Sequence, residues 1–498
     1  MKLRMNIIAK NSISNVIRVV LLTPIYFLLI PYIISKIGIE GYGIWALIGI
    51  FGSYRVFADF GMTTSLIKFI AEISEDNNDL VASKYINTSI VTQLGFSIVP
   101  LFVIINYRTF IIQNILNISE NIEIVSLLVI LVAISTLINM LAGLFQSIID
   151  GVQRMEVSNI IITIHTLISA IGTYVLLEQQ YGILGLAINQ LVMSLALLIT
   201  NILLSKRLLR YKINLFLFSI QIFKEIFSYS VNIQFSSLLR MWIEPAIKII
   251  VSHMFSITYV GYYEIALKFT SRITSLIRSA LNPIFPAASL FYNQEGVLKI
   301  EKLRKYSSKY LFILINGFMA ITFATLPKFI LLWIGPDLPI VLDLIIIQLV
   351  GLYASILATP AYIIMRGAGF ARNTLHVEFL TIIVQLISIP LIVSIYGFYG
   401  FAVSFSISMI SSYYLSIHFY KKVFSIADLE RNYPFIVKIL AISILTYIFG
   451  AVFREYVNYT DFIEFILIGL ITSILFLLMV YVSNIISRKD VHLIFKRQ

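Results

Sequence analysis

The sequence predicts an all-α, polytopic membrane protein. It reads as about fourteen transmembrane helices, arranged as two six-helix lobes in parallel repeat plus two C-terminal helices. Three observations carry that prediction. Of 498 residues, 59% are apolar and only 12% charged, about half the charge of a soluble domain. The apolar residues fall in runs near the 20 needed to cross a bilayer. Those runs are separated by Gly, Pro, Asn and charged residues.

The fourteen spans are read at 12–35, 42–68, 85–106, 124–149, 158–177, 182–204, 225–253, 258–286, 308–327, 341–365, 375–396, 399–420, 435–453 and 462–485. The first run, from Ile13 to Ile34, ends in Ser35-Lys36-Ile37-Gly38 rather than a small-x-small cleavage site. It is therefore expected to stay as the first helix. Of the 37 Lys and Arg residues, 25 fall in alternate connections that include both termini, or in the first turn of a span bordering them (Lys309 and Lys438). Four (Lys36, Arg108, Lys328 and Arg454) fall on the other side, and eight lie within spans 1, 2, 7 and 8. That asymmetry places both termini in the cytoplasm. It also accounts for the net charge of +12 without nucleic acid.

An internal repeat organises the spans. Tyr181-Gly-Ile-Leu-Gly-Leu-Ala-Ile188 opens the sixth and Tyr396-Gly-Phe-Tyr-Gly-Phe-Ala-Val403 opens the twelfth. Gly43-Ile-Trp-Ala-Leu47 is echoed at Gly261-Tyr-Tyr-Glu-Ile265. The period holds six spans, an even number, so both copies insert the same way up. The domains follow: 1–204 and 225–422 as six-helix lobes, 205–224 as a basic cytoplasmic linker, and 423–498 as two additional helices and a tail. A positive-inside loop with an interfacial helix is enough to explain the linker.

Charge inside the spans marks the candidate site. Arg18, Arg55, Lys68, Arg240, Lys248, Lys268, Arg272 and Arg278 all lie on spans 1, 2, 7 and 8, the same two elements of each repeat. A charge at mid-bilayer costs about 2.5 to 3.5 kcal/mol, so these side chains are expected to face something other than lipid. Arg240, Glu244 and Lys248 step by four and share a helix face, as do Glu264, Lys268 and Arg272. Arg278 falls within the same arc of about 120° at 100° per residue. Lys68, near the inner end of its span, is expected to snorkel.

Two readings of these charges stand. Arg55–Asp59, Arg240–Glu244 and Glu264–Lys268 are each spaced for a structural ion pair within one helix. Alternatively, with three carboxylates (Asp59, Glu244, Glu264) against eight cations, the surplus lines a cationic central cavity for an anionic guest. Guanidinium suits phosphate, because it offers several donors in one plane. On the second reading Arg18, Arg55, Arg240, Lys248, Lys268, Arg272 and Arg278 bind substrate. Asp59, Glu244 and Glu264 then serve as charge partners or coupling residues. His165 reads as a structural histidine, and Pro24, Pro31, Pro245, Pro283 and Pro286 mark places where the polar spans can bend.

Several function classes are excluded. There is no cysteine, and the five histidines (His165, His253, His376, His418, His492) never adopt a metal-ligand spacing. No G-x-x-x-x-G-K-[ST] run is present to bind ATP. The sequence calls for no cofactor. The longest outer connection, about 107–123, has no carboxylate pair at catalytic spacing, which argues against a polysaccharide polymerase or ligase.

Three stretches of the first half carry a resemblance. They are Gly38-Ile-Glu-Gly-Tyr-Gly-Ile-Trp-Ala-Leu47, Ala58-Asp-Phe-Gly-Met62 with Lys68-Phe-Ile-Ala71, and Phe145-Gln-Ser-Ile-Ile-Asp-Gly-Val-Gln-Arg154. With the paired Tyr-Gly-x-x-Gly-x-Ala runs, they resemble the O-antigen and polysaccharide (Wzx-type) flippases of the multidrug/oligosaccharidyl-lipid/polysaccharide exporter superfamily. The resemblance implies alternating access between two lobes in a bacterial cytoplasmic (inner) membrane. It implies as substrate undecaprenyl-diphosphate-linked oligosaccharide for lipopolysaccharide O-antigen or another surface polysaccharide. Its implied partners are membrane lipids and other polysaccharide-assembly proteins. The alternative within the superfamily is a drug or metabolite antiporter. Cation coupling, which related exporters place on acidic residues, would fall here to Asp59.

Overall fold

A computed structural model describes residues 2–76, 78–228, 242–281, 283–335, 338–426, 433–456, 462–483 and 485. Among them there is no strand, and eleven helices are long and apolar enough to cross a membrane. The three expected spans without a separate counterpart among those eleven are the second, seventh and eighth, three of the four that carry the charges. The chain divides into two compact units, Met1–Lys268 and Phe269–Gln498.

In the first unit α1 (Lys2–Ile48) breaks at Gly38, whose φ of 73° suits glycine. The expected second span, 42–68, is not one helix. Its start continues α1, a 3₁₀ turn covers Gly49–Ser53, and two helices follow: α2 (Tyr54–Asp59) and α3 (Met62–Asp76). The break falls on Phe60 and Gly61, with φ of 42° and 76°. Its physical origin lies in neighbouring side chains, described below. Next come α4 (Asp79–Asn106), α5 (Ile122–Gly151), α6 (Met155–Glu178) and α7 (Gly182–Leu208). After the segment 209–228 and the undescribed residues 229–241, the unit closes with α8 (Ile243–Met254) and the first half of α9 (Ile257–Leu281).

The second unit begins within α9 and continues with α10 (Ile284–Ile334), which breaks at Gly296 with φ 71°. Pro286, like Pro245 of α8, stands in the first turn of its helix, where a missing N–H costs no hydrogen bond. There follow α11 (Pro339–Gly367), α12 (Ala371–Tyr396), α13 (Tyr399–Phe424), α14 (Tyr433–Tyr456) and α15 (Phe462–Val482). α14 and α15 pack on α10 and on each other, with Phe476 against Gly317 and the Arg454 guanidinium donating to the Ala324 carbonyl at 3.1 Å.

Within each unit the helices pack in the same order at the six-span offset. α5 lies on α7 and α6 on α7; α11 lies on α13 and α12 on α13. The repeated Tyr-Gly-x-x-Gly run has one cause in both places. Gly182 and Gly397 take positive φ of 54° and 56° where one helix gives way to the next. The second glycine of each run then lets the new helix lie against the old one. A Cβ on Gly185 would stand 3.1 Å from Leu176 Cβ, and one on Gly400 would stand 2.6 Å from Val393 Cα. The core of the first unit gathers Leu66, Ile70, Ile86, Leu144, Phe145 and Ile148 from α3, α4 and α5. That of the second gathers Ile300, Ala361, Ile364, Met365, Tyr420 and Phe424.

Candidate functional site

The charged residues of the seventh and eighth spans that lie in the first unit converge. Lys248 on α8 is buried, and its Nζ stands 2.7 Å from Glu244 Oε1 and 2.7 Å from Glu264 Oε2 on α9. Glu264, also buried, receives Lys268 Nζ at 3.1 Å on its other oxygen. Tyr42 of α1 and Tyr263 lie within electrostatic reach of this carboxylate. Two lysines meet two carboxylates, so the cluster is neutral and ties α8 to α9. Lys68 is likewise near Glu72, at 3.8 Å.

The arginines behave differently. Arg55 on α2 is exposed, and neither ion pair nor hydrogen bond joins it to Asp59 or any other described residue. Its guanidinium reaches Gly143 on α5, where an added Cβ would stand 2.9 Å from Nη2. The within-helix pair Arg55–Asp59 does not form, because Asp59 is engaged elsewhere. Its Oδ1 accepts from Thr63 N at 3.3 Å, from Thr63 Oγ1, and from Gln93 Nε2 of α4 at 2.6 Å. Asp59 thus caps the first turn of α3 across the break at Phe60–Gly61. Arg18 on α1 is half-buried, within electrostatic reach of Asp150 on α5. Arg272 is half-buried and Arg278 exposed, both on the part of α9 that belongs to the second unit. Arg240 lies outside the described residues.

Asp59→Ala should therefore destabilise the fold by about 1 to 3 kcal/mol, the loss of a cap together with an unsatisfied buried amide on Gln93. The check is the melting temperature of the purified protein. An unchanged value would mean that the break is held without Asp59.

Two glycines bring parts of the two repeats into contact, both inside the first unit. Gly43 packs on the Ile257 carbonyl, which an added Cβ would approach to 2.2 Å. Gly261 packs on the Ile39 carbonyl, at 2.6 Å by the same measure. Each glycine sits over the carbonyl four residues before the other. The contact is reciprocal in the way a two-fold interface is, and Glu264 follows Gly261 by one helical turn. The pairing of Gly43 with Gly261 was visible in sequence as an echo; their contact was not. Gln93 and Asp150 were also missed. The one signal for Gln93 was its position in an otherwise apolar span beside Asn87, Thr88 and Thr92.

This is a polytopic, all-α membrane fold with a cluster of charged side chains on its polar spans. The chain belongs to the polysaccharide biosynthesis protein family, which matches residues 8–291, within the multidrug/oligosaccharidyl-lipid/polysaccharide exporter superfamily. Similar solved structures share the fold at low identity. One is the lipid II flippase MurJ in an inward closed conformation (16% identity, 96% of this chain and 100% of that one, TM-score 0.67). Another is an inward-facing multidrug resistance MATE transporter (15% identity, 80% and 94%, TM-score 0.68). A third is a superfamily transporter from Pyrococcus furiosus, described as having a binding pocket of reverse polarity that suggests a different function (16% identity, 84% and 95%, TM-score 0.62). A search of curated proteins finds no match.

Proposed function

We propose that this chain is a flippase that moves undecaprenyl-diphosphate-linked oligosaccharide across the bacterial cytoplasmic membrane by alternating access. The observation that supports this reading is the sorting of charge on the polar spans. The exposed Glu244 and the buried Glu264 neutralise lysines, while Arg55 stands exposed and its potential partner Asp59 is turned to Thr63 and Gln93. Arginine presented without a carboxylate suits a diphosphate, which its planar donors can grip in pairs. Arg18, Arg240, Arg272 and Arg278, which the sequence places on the same charged spans, are assigned as further diphosphate contacts; Lys248 fixes α8 on α9 through Glu264, and Lys268 braces Glu264 within α9. The alternative, an exporter of organic cations, calls for a surplus of exposed carboxylates, and Arg55 is of the wrong sign.

In this reading both termini are cytoplasmic, and the lobes run over 1–204 and 225–422. The reciprocal glycine contact is then the closed outer gate, since positions 43 and 261 fall at the outer ends of their spans. Membership of the polysaccharide biosynthesis protein family and the structural likeness to the MurJ flippase support a lipid-linked cargo, and we propose interaction with other polysaccharide-assembly proteins on the same ground.

The test uses proteoliposomes loaded with a lipid-linked diphosphate oligosaccharide. Arg55→Gln and Arg272→Gln should each slow translocation about tenfold or more, because a hydrogen bond to a charged group contributes about 1.5 to 3 kcal/mol. Normal rates in folded protein would contradict the arginine path. Proton-driven uptake of an organic cation, with no lipid translocation, would favour the antiporter.

A further inference from the structure

The segment 209–228, which follows α7, is not a loose tether. Buried side chains of α4 hold its backbone at successive points. Ser83 Oγ accepts from Lys212 N at 3.0 Å. Asn87 donates to the Lys212 carbonyl at 2.7 Å and accepts from Asn214 N at 2.8 Å. Thr88 Oγ1 accepts from Ser219 N at 3.1 Å. Tyr211 is buried in the core of the unit with its hydroxyl 2.7 Å from Ser205 Oγ. Burial pushes its phenol up to about 12, so it holds its proton at any physiological pH. The backbone is therefore fixed, and so is the direction each side chain faces.

That fixed strap turns a row of apolar residues outward. Phe216 is 97% exposed, and Ile213, Leu215, Phe218 and Ile220 are exposed beside it. A mobile loop would fold such residues away from water; this one is pinned and leaves them out. The same stretch exposes Lys206, Arg207, Arg210, Lys212 and Lys224. The lone carboxylate, Glu225, is engaged by the Tyr85 hydroxyl at 2.7 Å. Its inner face does the opposite. Ile226 is buried against Met62 and Phe69, and Phe227 stacks on Phe60 at 5.5 Å, at the break between α2 and α3.

We propose that this strap is a docking surface for anionic phospholipid. Its exposed apolar residues enter the edge of the acyl layer, and the five cations take lipid phosphates. Apolar residues flanked by Lys and Arg are the pattern of an interfacial membrane segment. The bilayer is also the partner that geometry supplies, because the strap leaves the last turn of α7, a membrane span, at Lys206 and Arg207. The proposal rests on that span and not on the cargo, so it stands or falls separately from the flippase reading.

The absence of cysteine allows a single reporter. Phe216→Cys in the full chain, labelled with an environment-sensitive fluorophore, is placed in vesicles of phosphatidylcholine alone or with added phosphatidylglycerol. The label should shift to shorter wavelength, be quenched by nitroxide-bearing lipid, and respond more strongly as phosphatidylglycerol is added. Combined Lys206→Gln, Arg207→Gln, Arg210→Gln and Lys212→Gln should abolish the phosphatidylglycerol response while leaving the melting temperature unchanged. Emission typical of water with quenching by iodide in both vesicles would overturn the proposal. So would shielding that depends on protein density rather than lipid, which would mark an interface between copies, and so would a response indifferent to lipid charge. Phe218→Cys repeats the measurement at a second position.

Discussion

Lys248→Met should destabilise the folded chain by about 3 to 5 kcal/mol, the cost of leaving a buried charge without its partner. Glu264 is buried in the first unit, and Lys248 is the one of its two cations that is buried with it; the other, Lys268, has a side chain 42% exposed. Removing Lys248 also releases Glu244, whose side chain is 53% exposed, so most of the loss falls on Glu264. The double substitution Lys248→Met and Glu264→Leu should recover most of the stability, because apolar residues of similar size often replace a buried pair at little cost. Lys268 then keeps its access to water. Unfolding of the purified variants in detergent reads both effects. A single variant as stable as the parent would mean that Lys268 alone satisfies the carboxylate.

Gly43→Ala should open the contact between α1 and α9. The added Cβ falls 2.2 Å from the carbonyl oxygen of Ile257. That atom belongs to backbone, so no rotamer change relieves the clash and the helices must part. Overpacking of this kind costs about 1 to 3 kcal/mol, which lowers the population of the closed crossing about five- to 150-fold at 1.4 kcal/mol per tenfold. Ile257→Cys in the otherwise cysteine-free chain reports it: labelling by a membrane-impermeant maleimide should quicken in the Gly43→Ala background. Gly261→Ala, at 2.6 Å from the Ile39 carbonyl, should act in the same direction. Unchanged labelling in both would show that the crossing is not a gate.

Much of the architecture was legible because a bilayer is a demanding solvent. An apolar run must satisfy its own backbone and becomes a helix; eleven spans were readable on that ground. The polar spans were the exception. Span 2 was expected to be continuous from 42 to 68, yet it breaks at Phe60–Gly61. The Asp59-Phe60-Gly61 motif was visible as a family mark, but its role depends on Gln93 of α4 and Phe227 of the strap, both distant in sequence. Helical spacing placed Lys248 and Lys268 correctly on their helix faces. It treated them as surplus charge, however, whereas Glu244 and Glu264 together neutralise them, the Lys248–Glu264 bridge joining α8 to α9. Arg55 and Asp59 fail to pair for the converse reason: spacing permits the bond, and a better partner on another helix takes the carboxylate.

By itself, then, the sequence determined the all-α membrane class, the six-span repeat and the four elements that bear charge. Each follows from a local quantity: hydropathy of a run, identity at a fixed offset, or periodicity on one helix. Tertiary structure alone decided which charges are neutralised, where span 2 breaks, how Gly43 meets Gly261, and which way the strap faces. Those outcomes depend on side chains far apart in sequence competing for the same donors, acceptors and space, and no periodicity within a single helix records that competition.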